Sequence, residues 1–335
     1  MATMKDVAKA AGVSVATVSA TLSGASFVSS ELQAKVTTAI DVLGYERNSA
    51  ASGLKRGKSL LIGLIVSDVT NPFFTELVNG VQNLAREKGY SVLLGISDHD
   101  VKREAELLRL MRSHQAAGTI LCPAGGIEDY SLHRLNLGHM KVVAVDNAAP
   151  ELPFDTVALD NNKAAILAVR HILSFGHRKV ATMAGPTKQF VSQKRVEGYL
   201  FALKEQGIKA ESAFLRHGDF RIEDAFLSCG ELIAQPNRPT ALFVANNLML
   251  IGVMKALTQA GLSVPGDMSI ASIDDFPWSS AFQPALTVVR QPISLMAAAA
   301  LDRLLKTIEG DFTAPIRELF DPELVIRQSC ASPRF

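Results

Sequence analysis

Residues 3–22 read TMKDVAKAAGVSVATVSATL, two short helical patterns on either side of a glycine. Thr3 and Asp6 have the spacing of a capping box, in which a hydroxyl and a carboxylate take up N–H groups left open at a helix start. Val7, Ala8 and Ala11 then fall on one face. Gly12 supplies the turn, Ser14 is a second N-cap, and Val18 with Leu22 continue the apolar stripe. The second helix therefore starts at Ser14 or Val15 and turns Val15, Ala16, Thr17, Ser19, Ala20 and Thr21 outward. Short apolar and hydroxyl side chains let a helix lie deep in the major groove of DNA. A solvated helical hairpin capping a larger domain has the same periodicity, so the flanking residues carry the decision.

Working outward, Leu32, Val36, Ile40 and Leu43 recur at helical spacing behind Ser29 and Ser30, and Gly44 stands where a helix ends. A third helix is expected to pack on the first two. As far as Lys58 the chain carries seven basic against four acidic side chains, within a total of +1. The positive excess thus sits at the end that would meet a phosphate backbone.

Beyond Lys58 apolar runs alternate with amphipathic stretches that end at glycine. The runs are Leu60 to Val66, Val92 to Ile96, Thr119 to Cys122, Val142 to Val145, Val180 to Ala184, Leu242 to Ala245 and Ser269 to Ile273. Helical patterns between them include Phe73 to Lys88, Lys163 to Phe175, Lys194 to Gln206 and Asn247 to Ala260. This is βαβ repetition and implies parallel, doubly wound sheets. About 275 residues exceed one such core, so two are expected.

Open parallel sheets bind ligands outside the carboxyl ends of their strands. The residues there are Ser67, Asn71, Phe73 and Phe74 after the first run, then Asp146, Asn246 and Asp274 after later ones. Arg195, Phe220 and Gln291 complete the candidate set, and Trp278 fits either a ligand face or a plug between lobes. Carboxylate, amide and guanidinium groups suit hydroxyls that both donate and accept, while flat rings cover the C–H faces of a sugar. Phe73 and Phe74 are equally compatible with core, and Asn71 and Asp274 with a helix cap and a turn. Arg195 lies among apolar helix residues and needs a partner if buried, either Asp274 or a ligand hydroxyl. His177 reads as structural, because no carboxylate or cysteine stands at metal or triad spacing from it.

An enzyme is one rival reading and an extracytoplasmic solute-binding protein another. The chain has no G-x-S-x-G elbow, no H-E-x-x-H, no phosphate loop and no dinucleotide fingerprint. Residues 1–30 hold the helical hairpin pattern where an export signal would stand, and no run of 18 apolar residues could span a membrane. Cys122, Cys229 and Cys330 suggest neither a disulfide framework nor a zinc site, which agrees with a reducing cytoplasm.

DVAKAAGVSVATVS, followed by NSAASGL at residues 48–54, resembles the lactose/galactose-repressor family, and the likeness runs from residue 2 to about residue 330. The resemblance implies a helix-turn-helix headpiece over residues 1–47, a hinge helix and linker over 48–58, and a body over 59–335. The body would be two-lobed and periplasmic-binding-protein-like, lobe one about 59–158 and 291–320, lobe two about 159–290 and 321–335. It also implies a homodimer on a palindromic operator in double-stranded DNA, with Leu54 wedged into the central minor groove. Physics agrees: a helix of about seven residues cannot hold alone, and Gly53 weakens it by a further ~0.5 to 1 kcal/mol. The DNA-facing set is then Thr3, Ser14, Val15, Ala16, Thr17, Ser19, Thr21, Ser29 and Tyr45, with Asn48, Ala51, Leu54 and Lys55 from the hinge. NPFF at residues 71–74 and the positions of Arg195, Phe220, Asn246, Asp274 and Gln291 look like those of ribose-type binding proteins and repressors.

Four positions depart from the family pattern. Ala20 replaces a long polar side chain and Arg47 a proline. Asn147 follows Asp146 where many ribose-like pockets have arginine, and Asn247 replaces an aspartate. The pocket stays polar but loses a cation, which favours a neutral sugar or polyol over a sugar acid or phosphate unless Lys188 or Lys194 supplies the charge. The reading is a cytoplasmic, ligand-controlled transcription factor, most simply a repressor, with no catalytic residue, metal or cofactor and no membrane partner.

Overall fold

The computed structural model describes residues 2–22, 28–45, 59–130, 137–310 and 315–334. The chain divides into two compact units, Met1–Ser59 and Leu60–Phe335.

The first unit holds α1 (Met4–Ala11), α2 (Val15–Leu22) and α3 (Ser30–Leu43). Thr3 caps α1 in a full capping box with Asp6. Gly12 and Gly44, at φ 65° and 55°, end α1 and α3 in the left-handed conformation that glycine adopts without strain. Val7, Ala8, Val18, Val36 and Ala39 form the buried core. Leu43, expected on that apolar stripe, is 37% exposed. Helices of 8 residues cover about 12 Å, which is too short to shield the last turn of the 14-residue α3.

The second unit is built on two six-stranded sheets. The first carries β1 (Leu61–Val66), β2 (Ser91–Ile96), β3 (Gly118–Leu121), β4 (Lys141–Val145), β5 (Asp155–Leu159) and β11 (Arg317–Phe320), in the order β11-β5-β4-β3-β1-β2. The second carries β6 (Val180–Ala184), β7 (Leu215–His217), β8 (Ala241–Val244), β9 (Ser269–Ile273), β10 (Thr287–Arg290) and β12 (Glu323–Val325), in the order β12-β10-β9-β8-β6-β7. Both sheets are covered on two faces. On β1, Ile62, Leu64 and Val66 enter one core and Ile65 the other. A strand buried on both faces reads as a continuous apolar run, which is why these strands stand out in the sequence.

Seven helices wrap the sheets in the described residues: α4 (Pro72–Glu87), α5 (Val101–Ser113), α6 (Asn161–Ser174), α7 (Phe190–Glu205), α8 (Ile222–Ile233), α9 (Asn247–Gln259) and α10 (Ile293–Glu309). The chain passes between lobes three times. It leaves β5 for α6, which packs on the second sheet, leaves β10 for α10, which packs on the first, and goes from β11 to β12.

One strand departs from the expected all-parallel sheets. β12 is antiparallel to β10, with Arg290 opposite Glu323. Between β10 and β12 the chain makes α10 and β11 on the other lobe and comes back through the two residues after Phe320, so Glu323 arrives beside Arg290. The returning chain enters the second sheet at the point where β10 leaves it and runs back along that strand. Among the described residues, no helix is long and apolar enough to cross a membrane.

Candidate ligand cleft and DNA-facing helix

In the first unit, the Ser14 hydroxyl accepts from the Thr17 N–H at 3.1 Å and lies 2.9 Å from the Thr17 hydroxyl. The Thr21 hydroxyl donates to the Thr17 carbonyl, and Ser29 caps α3 by accepting from Leu32. Thr3, Ser14, Thr17, Thr21 and Ser29 thus shape helix ends and turns, while Tyr45 packs against the core. Val15, Ala16 and Ser19 are left as the exposed face of α2, with Thr17, Ala20 and Thr21 half-buried beside them. That face is small and nearly without charge, so its backbone can approach a groove floor closely. Arg47, Asn48, Ala51, Leu54 and Lys55 lie outside the described residues.

In the second unit, all ten effector-binding candidates line one cleft of about 470 Å³, a volume that includes solvent at its mouth. Its walls are the carboxyl ends of strands from both sheets. Ser67 follows β1, Asp146 follows β4, Asp274 follows β9, and Gln291 follows β10. Asn71 caps α4, and Asn246 caps α9 by accepting from the Met249 N–H at 2.9 Å. Phe73 and Phe74 meet edge to face at 5.0 Å, serving the core and the cleft at once.

The two aspartates occupy matching places. Each has a left-handed backbone, φ 68° at Asp146 and 77° at Asp274. Each donates its N–H to the adjoining strand, to Val157 and Val289 respectively. Asparagine and aspartate accept this conformation better than other side chains, and such backbones cluster at binding sites. Phe220 is also left-handed at φ 60°. Gly185 makes room for its ring, since a Cβ there would meet Phe220 at 2.2 Å.

Arg195, on α7, is buried, but its partners differ from those expected. Its Nε donates to Asn161 Oδ1 at 2.8 Å and an Nη donates to the Ala245 carbonyl, while the guanidinium stands 6.0 Å from the centre of the Phe220 ring. A side-chain amide and a strand-end carbonyl are nearer to it than either carboxylate. Its charge still reaches Asp146 and Asp274 and pulls their pKa values down, against burial, which dominates. The net result lifts Asp146 to about 7 and raises Asp274 above the usual carboxylate range.

The departures Asn147 and Asn247 both tie the lobes together. Asn147 donates to the carbonyls of Pro123 and Gly125, at 2.9 and 3.1 Å, and its Oδ1 accepts from the Val191 N–H at 3.2 Å. Helix α7 begins after Gln189, which gives it no side-chain cap. The first turn of this helix is therefore capped from the opposite lobe. Asn247 donates to Asn71 Oδ1 across the cleft at 2.8 Å. Lys188 and Lys194 are not among the lining residues; Lys194 pairs with Glu197 at the surface.

Asp68, His99, Pro123, Gln189, Val191 and Leu248 also line the cleft and were not singled out from sequence. Asp68 and His99 follow strand ends, so the carboxyl-end rule could have found them. Gln189 and Val191 escaped because the α7 pattern was read from Lys194, after its first turn. Trp278 lies outside this cleft, 38% exposed against Phe276. His177 ties Thr240, Ser269 and the Ala331 carbonyl together, a structural role. Cys122, Cys229 and Cys330 are free and buried.

The wall at Pro123 to Gly126 is held by Glu104, a buried residue of α5. Its Oε2 accepts from the Ala124 N–H at 2.7 Å and from the Tyr130 hydroxyl at 3.1 Å. Burial pushes the Glu104 carboxyl up to about 7, more than these two donors lower it. The folded protein thus binds this proton more tightly than the unfolded chain. The associated stability is complete below about pH 4.5 and is lost as pH rises through 7. Glu104→Gln keeps an acceptor and removes the ionisation. Its unfolding free energy is expected to exceed that of the wild type at pH 8 by on the order of 1 to 3 kcal/mol, with no gain at pH 5. Denaturant unfolding at the two pH values checks this, and equal pH dependence in both proteins rules it out.

Residues 3–48 match bacterial regulatory proteins of the lacI family, and residues 169–330 match the periplasmic binding protein-like domain. The HTH-type transcriptional repressor CytR of Escherichia coli is 34% identical over 98% of this chain and 96% of its own length. The ribose operon repressor of the same organism is 33% identical over 98% and 100%.

The chain belongs to the lacI family of bacterial regulatory proteins.

The HTH-type transcriptional repressor PurR of Photobacterium profundum, 31% identical over 98% of each chain, is a further relative. A crystal structure of the Lac repressor dimer bound to operator and the anti-inducer ONPF matches with a TM-score of 0.88 at 27% identity, over 98% of this chain and 99% of that one. This lacI-family chain is therefore a DNA-binding transcriptional regulator with a ligand-binding body, and its family is one of regulators.

Proposed function

We propose that this regulator is a homodimeric repressor that lays its two α2 helices in the half-sites of a palindromic operator and responds to a hydroxylated small molecule, a sugar or polyol, in the cleft. The observation that carries the ligand class is the cleft itself. The carboxylates of Asp146 and Asp274, one buried guanidinium, five amide side chains and the Phe73, Phe74 and Phe220 rings converge from both lobes. Such a set pairs hydroxyls with groups of both hydrogen-bonding senses and covers C–H faces with rings. An anionic sugar would meet two carboxylates against one guanidinium, so the site disfavours acids and phosphates. The setting is the cytoplasm, where the operator is.

Lobe closure supplies the control. Bonds such as Asn71 to Asn247 and Asn147 to Val191 exist only with the lobes together. A ligand that favours one lobe angle shifts operator affinity through that difference alone, about 5- to 150-fold for a coupling of ~1 to 3 kcal/mol.

Selection of bound duplexes from a random pool by the full-length protein tests the reading. Symmetric sites are expected to be enriched, with affinity falling steeply with salt. Equal binding to symmetric and random duplexes, with and without sugars and polyols, sinks it.

A further inference from the structure

Several donors at the cleft are already engaged within the protein. Both side-chain donors of Asn147 that the structure shows are spent on loop carbonyls, and Gln291 Nε2 is spent on Asp274. Arg195 has committed its Nε and one Nη to Asn161 and Ala245. Asp146 accepts from the Asn147 backbone, and Asp274 from the Asn247 backbone as well as from Gln291, which leaves Gln291 Oε1 as the acceptor with no donor. That last atom is fully buried without a partner, on a residue only 5% exposed. The amide is held in this sense because its donor faces Asp274.

Charge points the same way. With both aspartates ionised, the buried lining holds one more negative than positive charge. The neighbouring hollow, of about 320 Å³, shares Phe73, Asp274 and Gln291 with the cleft and adds Glu76, while its Asp275 is neutralised by Arg290 and Arg327. A hydroxyl satisfies one acceptor and leaves the charge in place. An ammonium group supplies up to three donors and one positive charge.

We propose that the ligand of this cleft carries a basic nitrogen among its hydroxyl groups, an amino sugar or amino polyol held as its cation between Asp146 and Asp274. The proposal rests on the cleft being the effector site and narrows its ligand class. Asp146 and Asp274 accept from the ammonium, Gln291 Oε1 takes a further hydrogen, and Phe220 and Phe73 cover the carbon skeleton. Buried carboxylates that are costly to ionise alone are relieved by such a partner.

Matched pairs separate the possibilities in calorimetric titrations of the full-length protein: N-methylglucamine against sorbitol, glucosamine against glucose, and an imino-ribitol against ribose. In at least one pair the amine is expected to bind about tenfold or more tightly. The preference should vanish in Asp146→Asn, and in the unaltered protein once pH passes the amine's own titration. The second arm needs no variant and stands even if Asp146→Asn fails to fold. Neutral members that bind as well as or better than their amines overturn the proposal and leave the polyol cleft intact. Binding by no member of any pair overturns this proposal and the sugar-or-polyol reading together.

Discussion

Arg195→Ala is expected to abolish ligand binding and to destabilise the body by about 3 to 5 kcal/mol, the cost of leaving buried charge uncompensated. The side chain is 3% exposed and serves three functions at once. It satisfies Asn161 Oδ1 and the Ala245 carbonyl, backs the Phe220 ring, and supplies the positive charge that offsets Asp146 and Asp274. Without it two acceptors and two carboxylates are stranded in a closed site. The carboxylates respond by holding protons more tightly, so their pKa values rise further above the unfolded ones. Stability is then lost as pH rises through 7, and the deficit of the variant should widen between pH 5 and pH 8. Arg195→Lys should recover only part, since an ammonium cannot reach Asn161 and Ala245 with the same fork. Denaturant unfolding at several pH values measures both effects. A change within about 0.5 kcal/mol, the range of ordinary surface substitutions, would show that the guanidinium is not needed.

Val18→Asp is expected to unfold the DNA-binding unit while the body keeps its melting behaviour. Val18 is fully buried, one of five core side chains that are all valine or alanine. Burying a valine contributes ~1.5 kcal/mol or more, and an unpartnered carboxylate in its place costs several more. A unit of this size has only a few kcal/mol to lose. Operator affinity should fall at least about a thousandfold, to the level of random duplex, because the exposed face of α2 exists only when α2 packs on α1 and α3. Anisotropy titrations with a selected operator, alongside calorimetric melting of the same sample, check the two halves. Operator binding that survives the substitution would remove α2 as the reading element.

Much of this was legible before any coordinates. The capping box at Thr3, the N-caps at Ser14 and Ser29 and the glycine ends at Gly12 and Gly44 act over three or four residues, and all stand as read. The continuous runs of β1, β4, β6 and β9 announced strands buried on two faces. The strands β5, β7, β10, β11 and β12 did not stand out: β5 and β10 are interrupted by Asp155, Thr156 and Thr287, β7 and β12 have three residues each, and β11 is half exposed. The position after a strand end was enough to nominate Asp146, Asn246 and Asp274, since parallel topology brings those ends to one edge.

Chain order thus contains the elements, their caps and the list of strand ends, because each depends on neighbours a few residues away. Which groups meet across the cleft is settled by packing alone. Asn147 and Val191 are 44 residues apart, and Asn71 and Asn247 are 176 apart. No local pattern can tell that an amide replacing a cation caps a helix on the other lobe. Nor can it tell that Arg195 turns to a carbonyl instead of a carboxylate, or that burial lifts Glu104 and Asp146 to about 7. Those properties arise from desolvation and long-range contact, which exist only once two sheets and three crossings have closed around the site.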